Sequence, residues 1–431
     1  MKPAQPIRKW FTPGLGVKRW IVLVIFGVLA LTTGLTFGVL DLYVQQAPLL
    51  PYMAPGLVAL FLLVGVTCIT LAVVGLSRAI LAPFRQSQPG SVLDVVYDYS
   101  RRGRGPHIVA IGGGTGLPAT LRALKPYTSN LTAVVTVADD GGSSGRLRKE
   151  LGVLPPGDLR NNIAALADDE NLMTRLFQHR FKEGELGGHS FGNLFISALA
   201  GVTGSLEGAL VEAGRVLNIQ GRVFPATLND VELVAEVRLN GKLVTVRGES
   251  HITEANGQIQ RIALEPPTAV GFAGSVEAIL AAEMVVIGPG SLYTSILPNL
   301  LVREIAGALR RTSALKVYVC NIAIQPGETT GYNVADHVEA IEQVLGRGVL
   351  DVIVANSSFQ TENAGENTYY VQPVPDEHPL RERCRVISTD LVEFERPWRH
   401  DSKKLATVLL DLHETRHTSV PAVVEHDIFL Q

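Results

Sequence analysis

Two glycine-rich segments of the chain have the composition of phosphate-binding loops. The first, GGGTG at 112–116, lies between an apolar run and a Leu-Pro pair that is typical of a first helical turn. The second, IGPGSLYTS at 287–295, repeats the order of strand, glycine turn and helix. Glycine lets the backbone approach a phosphate, and a helix N-terminus attracts negative charge. We therefore expect anion-binding backbone at Gly112, Gly113, Gly114, Thr115, Gly116, Gly288, Gly290 and Ser291.

The first loop also satisfies the dinucleotide fingerprint, because Gly114 and Gly116 are followed by Ala119 and, about 20 residues later, by Asp139. This match alone is weak support for a nicotinamide oxidoreductase. The chain has no Gly-Lys-Ser/Thr segment, so a Walker-type NTPase is not supported. A purely structural role, in which the glycines allow tight packing of strand on helix, stays open.

A segment rich in carboxylates and arginines follows the second predicted strand. Its sequence, ADDGGSSGRLR at 138–148, could hold a hard cation, or a ribose and a phosphate together. Asp158, within PPGDLRNN at 155–162, would complete a carboxylate cluster or cap its own helix. The alternative for the segment is an Asp-Gly turn with solvated charges. The candidate metal ligands are Asp139, Asp140 and Asp158, and the candidate ligand contacts are Ser143, Ser144, Arg146, Arg148 and Asn161.

A third motif, GHSFGN at 188–193, opens another predicted helix. His189 could act as a general base or form a hydrogen bond at the helix start, and Ser190 and Asn193 could contact a ligand or cap a turn. The candidate catalytic residues are therefore Asp139, Asp140 and His189. The sequence contains no Ser-His-Asp order and no nucleophile elbow, so hydrolysis by a covalent nucleophile is not our interpretation.

The elements that position these motifs are predicted to form an α/β domain over residues 106–431. Short β-branched runs alternate there with amphipathic helices, which is typical of a mostly parallel sheet. Residues 222–263 instead alternate apolar and polar residues around Asn240-Gly241, a strong hairpin signal. We predict a Rossmann-like sheet with a small antiparallel β insertion at 222–263.

The first 81 residues have a different composition. The runs at 21–40 and 53–76 contain no charged residue and no histidine, and each is long enough to cross a bilayer. Lysines and arginines precede the first run and follow the second, which predicts a cytoplasmic location for both termini. A cleaved signal peptide and a buried soluble hairpin are the alternatives. We predict an anchor in the cell membrane with two spans, a linker at 82–105 and a cytoplasmic globular domain.

Composition restricts the remaining function classes. Only 18% of the 431 residues are Asp, Glu, Lys or Arg, below the quarter or so of soluble domains, and the apolar runs account for much of this difference. A net charge of −3 without a long basic run argues against a nucleic-acid partner. The three widely spaced cysteines fit a reducing environment.

Taken together, the motifs resemble those of one family. GGGTG at 112–116, VTVADDGGSSGRLR at 135–148, PPGDLRN at 155–161, GHSFGNL at 188–194 and IGPGSLYTS at 287–295 are similar to motifs of the gluconeogenesis-factor (YvcK-like) branch of a superfamily. That superfamily is named for 2-phospho-L-lactate transferase (CofD). The resemblance covers nearly all of residues 107–412, and it implies a Rossmann-like domain.

The two branches of this superfamily imply different functions. The transferase branch moves a phospholactyl group to a deazaflavin alcohol with a guanine nucleotide and Mg²⁺, and residues matching Asp139, Asp140 and Asp158 lie near metal and acceptor. The gluconeogenesis-factor branch resembles a sensor of UDP-N-acetylglucosamine-type ligands that supports cell shape and cell-wall homeostasis during gluconeogenic growth. GGSSG at 141–145 belongs to the second pattern.

The resemblance also bears on the C-terminal part and on the anchor. Arg399 falls where the gluconeogenesis-factor branch carries an Arg-His pair, so it could meet a diphosphate or form a surface salt bridge. Many family members begin directly at the first strand, and the N-terminal hairpin departs from that pattern. We expect a membrane-anchored regulator that binds a UDP-sugar or another nucleotide, with a transferase-like enzyme as the alternative. A homo-oligomer stays open.

Overall fold

The computed structural model describes residues 18–44, 55–85, 101–167, 172–360 and 369–416. The chain divides by its internal contacts into two compact units, Met1–Ser100 and Arg101–Gln431. This division falls within the predicted linker at 82–105, of which residues 86–100 lie outside the described part. Each unit is therefore considered on its own.

The first unit contains two long helices, α1 (Lys18–Val44) and α2 (Pro55–Arg85). They lie antiparallel and very close together, because glycines replace side chains where they touch. A Cβ atom added to Gly65 of α2 would lie 2.5 Å from Leu31 Cγ and 3.0 Å from the carbonyl oxygen of Gly27. Helix α1 extends beyond the predicted run at 21–40 at both ends, whereas α2 begins two residues after the start of the run at 53–76 and continues beyond its end.

Both helices are long and apolar enough to cross a membrane over Lys18–Leu40 and Gly56–Arg78. Their apolar side chains point mostly outward, as with Val22 and Leu63, which are 64% and 66% exposed. Such exposure suits lipid better than the core of a soluble domain. The hydroxyl groups also need partners in a bilayer. Five threonines of the two helices each donate a hydrogen bond to a backbone carbonyl about one turn earlier in their own helix: Thr32, Thr33, Thr36, Thr67 and Thr70.

The second unit is built on a parallel sheet of seven strands. In chain order its strands are β1 Ile108–Gly112, β2 Leu131–Val135, β3 Arg222–Pro225, β4 Glu232–Leu239, β5 Lys242–Arg247, β6 Gln258–Glu265, β7 Met284–Ile287, β8 Leu315–Val319, β9 Val352–Asn356 and β10 Arg385–Thr389. The large sheet has the order β3-β2-β1-β7-β8-β9-β10. Strand order reverses at β1, so the crevice between β1 and β7 is the switch point at which open α/β sheets bind ligands.

The central strands form because their sequences are continuous apolar runs. Every residue of β1, β2, β7 and β9 is buried, as expected for parallel strands covered by helices on both faces. The predicted Rossmann-like, mostly parallel sheet is therefore confirmed. The helices of this unit are α3 Leu117–Leu124, α4 Gly142–Leu151, α5 Gly157–Leu166, α6 Leu172–Gln178, α7 Phe191–Thr203, α8 Leu206–Val216, α9 Glu249–Glu254, α10 Ala273–Ala281, α11 Leu297–Leu300, α12 Arg303–Arg311, α13 Val334–Leu345, α14 Leu380–Arg383 and α15 Ser402–Thr415.

The antiparallel insertion is a three-stranded sheet with the order β5-β4-β6. Asn240 and Gly241 have φ values of +49° and +79°, as the predicted two-residue hairpin between β4 and β5 requires. The insertion begins later than the predicted residue 222, because β3 is the edge strand of the parallel sheet. The alternating burial of β3 on that edge resembles an antiparallel pattern, which explains the difference.

Candidate functional site

The two glycine loops meet at the switch point. The first follows β1 and leads into α3, and the second follows β7 and leads into a π-helical turn, Leu292–Ile296. A Cβ atom on Gly116 would lie 2.5 Å from the carbonyl oxygen of Pro289 and 2.7 Å from Gly290 Cα. Glycine at position 116 is therefore required for the contact between the loops.

Two asparagines hold these loops in place. The side chain of Asn321, after β8, donates to the carbonyl oxygen of Gly290 at 2.9 Å and accepts from its N–H at 3.0 Å. Asn299 donates to the carbonyl oxygen of Gly112 at 2.9 Å. Each loop is thus fixed by a side chain from a neighbouring element, which prepares its backbone for a ligand.

A cleft of about 930 Å³ opens beside the loops. Its walls are Thr115 and Gly116, Pro289 to Ser291, the segment 321–325 after β8, and the segment 393–403 before α15. Four cationic side chains line it: Arg122, Arg396, Arg399 and Lys403. The volume is at the upper end of the range of small-molecule sites, which is about 300–1,000 Å³.

The C-terminal wall of the cleft presents the guanidinium of Arg399 and one aromatic ring. Arg396 is paired with Glu393, its Nη2 lying 2.6 Å from a carboxylate oxygen. The exposed Arg399 side chain has no hydrogen bond or ion pair within the described ranges. The side chain of Trp398 is 43% exposed and lines the same cleft.

His400 attaches this wall to the sheet. Its Nε2 lies 3.1 Å from the carbonyl oxygen of Cys320, which can only accept, so Nε2 carries the proton. Burial lowers the pKa of His400 to about 4, although the bond to Cys320 opposes this shift. The imidazole is neutral at physiological pH, and its hydrogen bond fixes the residue next to Arg399 against the sheet.

A carboxylate cluster lies under the first loop. Asp158 Oδ2 accepts the N–H of Gly114 at 2.7 Å, and a Cβ atom on Gly113 would lie 2.5 Å from that oxygen. Burial, followed by repulsion from Asp139, raises the pKa of Asp158 to about 6 against the effect of the Gly114 bond. Asp158 therefore fixes the loop from below instead of capping its own helix.

Glu249 of the β insertion completes this cluster, and sequence inspection missed it. Its side chain is hydrogen-bonded to Asp139, whose Oδ1 also accepts the N–H of Gly141 at 2.9 Å. Burial, followed by repulsion from the negative charges of Asp139, Asp158 and Glu328, raises the pKa of Glu249 to about 9. At neutral pH Glu249 is therefore protonated and donates to Asp139.

Two of the predicted site residues lie outside the cluster, because they hold the insertion. Asp140 Oδ1 accepts from the N–H of Ser250 at 3.0 Å and from its hydroxyl at 2.9 Å. Arg148 forms an ion pair with Asp230 at 2.5 Å and donates to the carbonyl oxygen of Val231 at 3.0 Å. Both side chains tie the segment after β2 to the insertion.

The predicted magnesium ligands do not fit the ion as they are arranged. Asp140 faces the insertion, where its Oδ1 accepts two hydrogen bonds from Ser250. Within the described ranges, no group of three or more His, Cys, Asp and Glu side chains is placed to hold a metal ion. Mg²⁺ requires near-octahedral oxygen coordination. We derive no chemical step through a metal.

His189 belongs to a buried hydrogen-bond network. Its Nδ1 lies 3.0 Å from the hydroxyl of Ser143, which also accepts from Asn193 Nδ2 at 3.0 Å. Burial, and then the charge of Arg146, lowers the pKa of His189. Arg146 itself donates to the carbonyl oxygen of Gly187 at 2.8 Å. This geometry fixes GHSFGN against the first turn of α4, so His189 has a positioning role.

Arg160 links the carboxylates to the same network, and it was not among the predicted residues. It donates to Ser190 and, at 2.6 Å, to Asn161 Oδ1, and it interacts electrostatically with Asp158. Ser190 also caps α7 by accepting the N–H of Asn193 at 3.3 Å. The signal was present in the sequence, because Arg160 stands between two predicted site residues in PPGDLRNN.

Asn193 Oδ1 and Gln325 Oε1 are among the buried polar atoms that lack a partner in the described residues. Gln325 lines the cleft, where its amide nitrogen donates to the hydroxyl of Ser291 at 2.5 Å. Buried polar groups in native proteins are nearly always satisfied. The free oxygen of Gln325 therefore indicates a donor supplied by a ligand or by water.

A further motif, HETRH at 413–417, has zinc-ligand spacing, although no His-x-x-x-His pair was expected from the sequence. His413 Nε2 lies 3.3 Å from Glu283 Oε2, and Arg416 donates to the same oxygen at 2.6 Å. Glu283 directly precedes β7, so this ion pair lies at the N-terminal ends of the parallel strands. The glycine loops lie at the opposite, C-terminal ends. His417 lies outside the described residues.

Known proteins match this chain over most of its length. The model of the family described as 2-phospho-L-lactate transferase CofD matches residues 108–392. The protein named "Gluconeogenesis factor" from Bacillus subtilis (strain 168) is 44% identical over 316 residues, which cover 72% of this chain and 99% of that protein. A protein from Nostoc sp. (strain PCC 7120) is 44% identical over 95% of this chain and 93% of its own length. The match to the Nostoc protein must include most of the first 100 residues.

The crystal structure of a UPF0052 family member from Bacillus halodurans has a TM-score of 0.67 and 43% identity to this chain. The match covers 71% of this chain and 99% of the other. A region about the size of the second unit is thus a complete folded protein in relatives. On the family match over residues 108–392 and the identity to the Bacillus subtilis protein, the chain belongs to the CofD family, in its gluconeogenesis-factor branch.

Proposed function

We propose that the second unit is a regulatory module that binds a nucleotide sugar of the UDP-N-acetylglucosamine type. The observation that carries the proposal is the contact between two glycine loops at the switch point, next to a cleft of about 930 Å³. In this proposal the module regulates cell shape and cell-wall homeostasis during gluconeogenic growth. The name of the Bacillus subtilis relative, "Gluconeogenesis factor", supports the metabolic context.

The diphosphate would lie along the two loops. Backbone N–H groups after β1 and the N-terminus of α3 offer donors and a favourable dipole to phosphate oxygens. Arg399 and Lys403 add positive charge on the opposite wall. Charge-assisted bonds from arginine to phosphate are among the stronger hydrogen bonds in proteins, which suits a ligand with two phosphates.

The uracil and the sugar would occupy the remaining cleft. The exposed ring of Trp398 offers a flat apolar surface on which a base can stack. The free Gln325 oxygen, with Asn321 nearby in the lining, offers polar contacts suited to uracil or to an acetamido group. These groups are of the kind that fixes orientation and specificity in small-molecule sites.

We expect Arg399→Ala to weaken binding of UDP-N-acetylglucosamine about tenfold or more, because a charge-assisted bond to phosphate is lost. Isothermal calorimetry on residues 101–431 measures the effect. Arg347→Ala is the matched control, since Arg347 is also exposed and lies outside the cleft lining. Equal affinity of the Arg399→Ala and Arg347→Ala variants for the ligand would show that Arg399 does not contribute to binding.

A transferase-like enzyme is the second candidate, favoured by the carboxylates of Asp139 and Asp158 beneath the first loop. In that case the unit would move a phosphate-linked group from a nucleotide donor, with Mg²⁺ in the assay. Turnover that is lost in Asp158→Asn would favour the enzyme over the regulator. The lack of fit of these carboxylates to a metal ion makes the regulator our preferred function.

We further propose that helices α1 and α2 anchor the protein in the cell membrane, with both termini and the second unit in the cytoplasm. The basic residues flanking both apolar runs support this orientation. We expect protease to digest the second unit in inside-out vesicles and to leave it intact in right-side-out vesicles. The reverse pattern would contradict the proposed topology, and release of the intact protein by carbonate washing would contradict the anchor.

A further inference from the structure

A second cavity, here called the arginine pocket, lies between the β insertion and the parallel domain. It has a volume of about 530 Å³. Its walls come from β6, from the π-helical turn and from helices α11, α12 and α13. None of its lining residues belongs to the lining of the cleft described above. It is therefore a separate candidate site.

The arginine pocket carries three positive charges and no lining carboxylate. Arg310 is held in place, because its Nε and Nη2 donate to the carbonyl oxygens of Leu345 at 2.8 Å and Val344 at 3.0 Å. Arg261 and Arg303 have no hydrogen bond or ion pair in the part of the chain that the structure describes. Among the described residues no carboxylate forms an ion pair with these arginines, so their charges are available to an anion.

Arg303 stands at an unfavourable place for a cation. It is the first residue of the nine-residue helix α12, where the helix dipole is positive. The acidic residue of the same turn, Glu304, accepts the N–H of Gly271 at 2.8 Å and forms no ion pair with Arg303 among the described residues. A bound anion would relieve this repulsion between Arg303 and the helix dipole.

Part of the inner surface of the arginine pocket is apolar. The exposed Pro267 and the half-buried Leu301 and Val344 supply this surface, whereas Leu297 and Leu300 are almost completely buried. The ring of Tyr293 also faces the pocket, and its hydroxyl is already bound to that of Tyr332 at 2.7 Å. A fully hydrated ion such as sulfate would gain little from this surface, whereas an apolar group would be well accommodated.

We propose that the arginine pocket binds a small amphipathic organic anion, with its apolar body against Pro267, Leu301 and Val344 and its anionic head on the arginines. This site is independent of the proposed nucleotide-sugar cleft, because the two share no lining residue. The ligand class follows from charge complementarity at the rim and apolar complementarity below it.

The test uses 8-anilinonaphthalene-1-sulfonate, whose fluorescence rises in apolar surroundings, titrated into residues 101–431. We expect one saturable site that weakens about tenfold or more in the double variant Arg261→Glu/Arg303→Glu. Ala306→Phe should weaken it comparably, because it fills the pocket from the buried position of Ala306 without altering the charge. The exposed Arg222 lies on the edge strand β3, so Arg222→Glu is the control and should change affinity less than twofold.

A second, uncharged probe separates the contribution of the anionic group to binding from the contribution of apolar contact. N-phenyl-1-naphthylamine has the same ring system without the sulfonate, and we expect it to bind about tenfold more weakly. Equal binding of the neutral and anionic probes would overturn the proposal. Sulfonate binding that survives both the double variant and Ala306→Phe would also overturn it, because the probe would then lie elsewhere. Thermal unfolding of each variant checks that the fold is retained.

Discussion

Replacing Gly116 by alanine is expected to lower the affinity for UDP-N-acetylglucosamine about 100-fold or more. The added methyl group would lie 2.5 Å from the carbonyl oxygen of Pro289 and 2.7 Å from Gly290 Cα, far closer than van der Waals contact. Both neighbours are backbone atoms, so the clash cannot be relieved by turning a side chain. The two loops must separate, and a phosphate held by both would lose its partners on one side.

Gly201→Ala provides the matched control for this variant. Gly201 lies in α7 with no atom within 4 Å of an added Cβ, so the same substitution should leave affinity unchanged and slightly stabilise the helix. Calorimetry measures the affinity of both variants, and circular dichroism confirms that both are folded. Affinity of Gly116→Ala within threefold of the parent protein would contradict the role of the loop contact.

The second large expected effect is a loss of stability as pH rises, caused by Glu249. Its folded-state pKa is raised from 4.5 to about 9, so its contribution is fully present below about pH 4.5 and is lost as pH rises toward 9. Asp158, raised from 3.8 to about 6, acts in the same direction at lower pH. Since one pKa unit corresponds to about 1.4 kcal/mol, we expect an effect of several kcal/mol.

Glu249→Gln should remove most of this pH dependence, because the amide donates to Asp139 at every pH. The measurement is the midpoint of thermal unfolding of residues 101–431 between pH 5 and 9, in buffer containing a chelator. Glu254→Gln is the control, since Glu254 lies exposed in the same helix. A parent protein whose midpoint stays level or rises over this range would contradict the buried protonated carboxyl.

Local sequence patterns were sufficient where a single element decides the structure. Continuous apolar runs identified the buried strands, and Asn240-Gly241 identified the hairpin, because these signals depend only on neighbouring residues. The edge strands were less well predicted. β10 was not predicted, since its residues are mostly half-buried, and β3 was assigned to the insertion. Partial burial gives an edge strand a mixed pattern that resembles other structures.

The directions of the side chains in ADDGGSSGRLR at 138–148 could not be predicted without knowing that α4 begins at Gly142. Once the helix is known, Ser143 and Arg146 fall on one face, because residues three apart are neighbours. Arg148 lies about 200° around the helix from Arg146, since each residue turns by about 100°. No helix was predicted for this segment, and so both arginines were assigned to the ligand.

Long-range contacts set the rest of the site. Glu249 is 110 residues beyond Asp139 in the sequence. It belongs to the antiparallel insertion, whose sequence pattern differs from that of the parallel domain, so no local pattern connects the two carboxyl groups. The ion pair of Arg148 with Asp230 likewise depends on where the insertion packs. The predicted glycine loops, by contrast, are brought together because both follow adjacent parallel strands.

The most direct test of the proposed function is a calorimetric titration of residues 101–431 with UDP-N-acetylglucosamine at neutral pH. The arrangement of two glycine loops beside one cleft predicts saturable binding of one molecule per chain, which Gly116→Ala abolishes and Gly201→Ala preserves. Absence of binding at ligand concentrations up to about 1 mM, which corresponds to about −4 kcal/mol, would contradict the proposal.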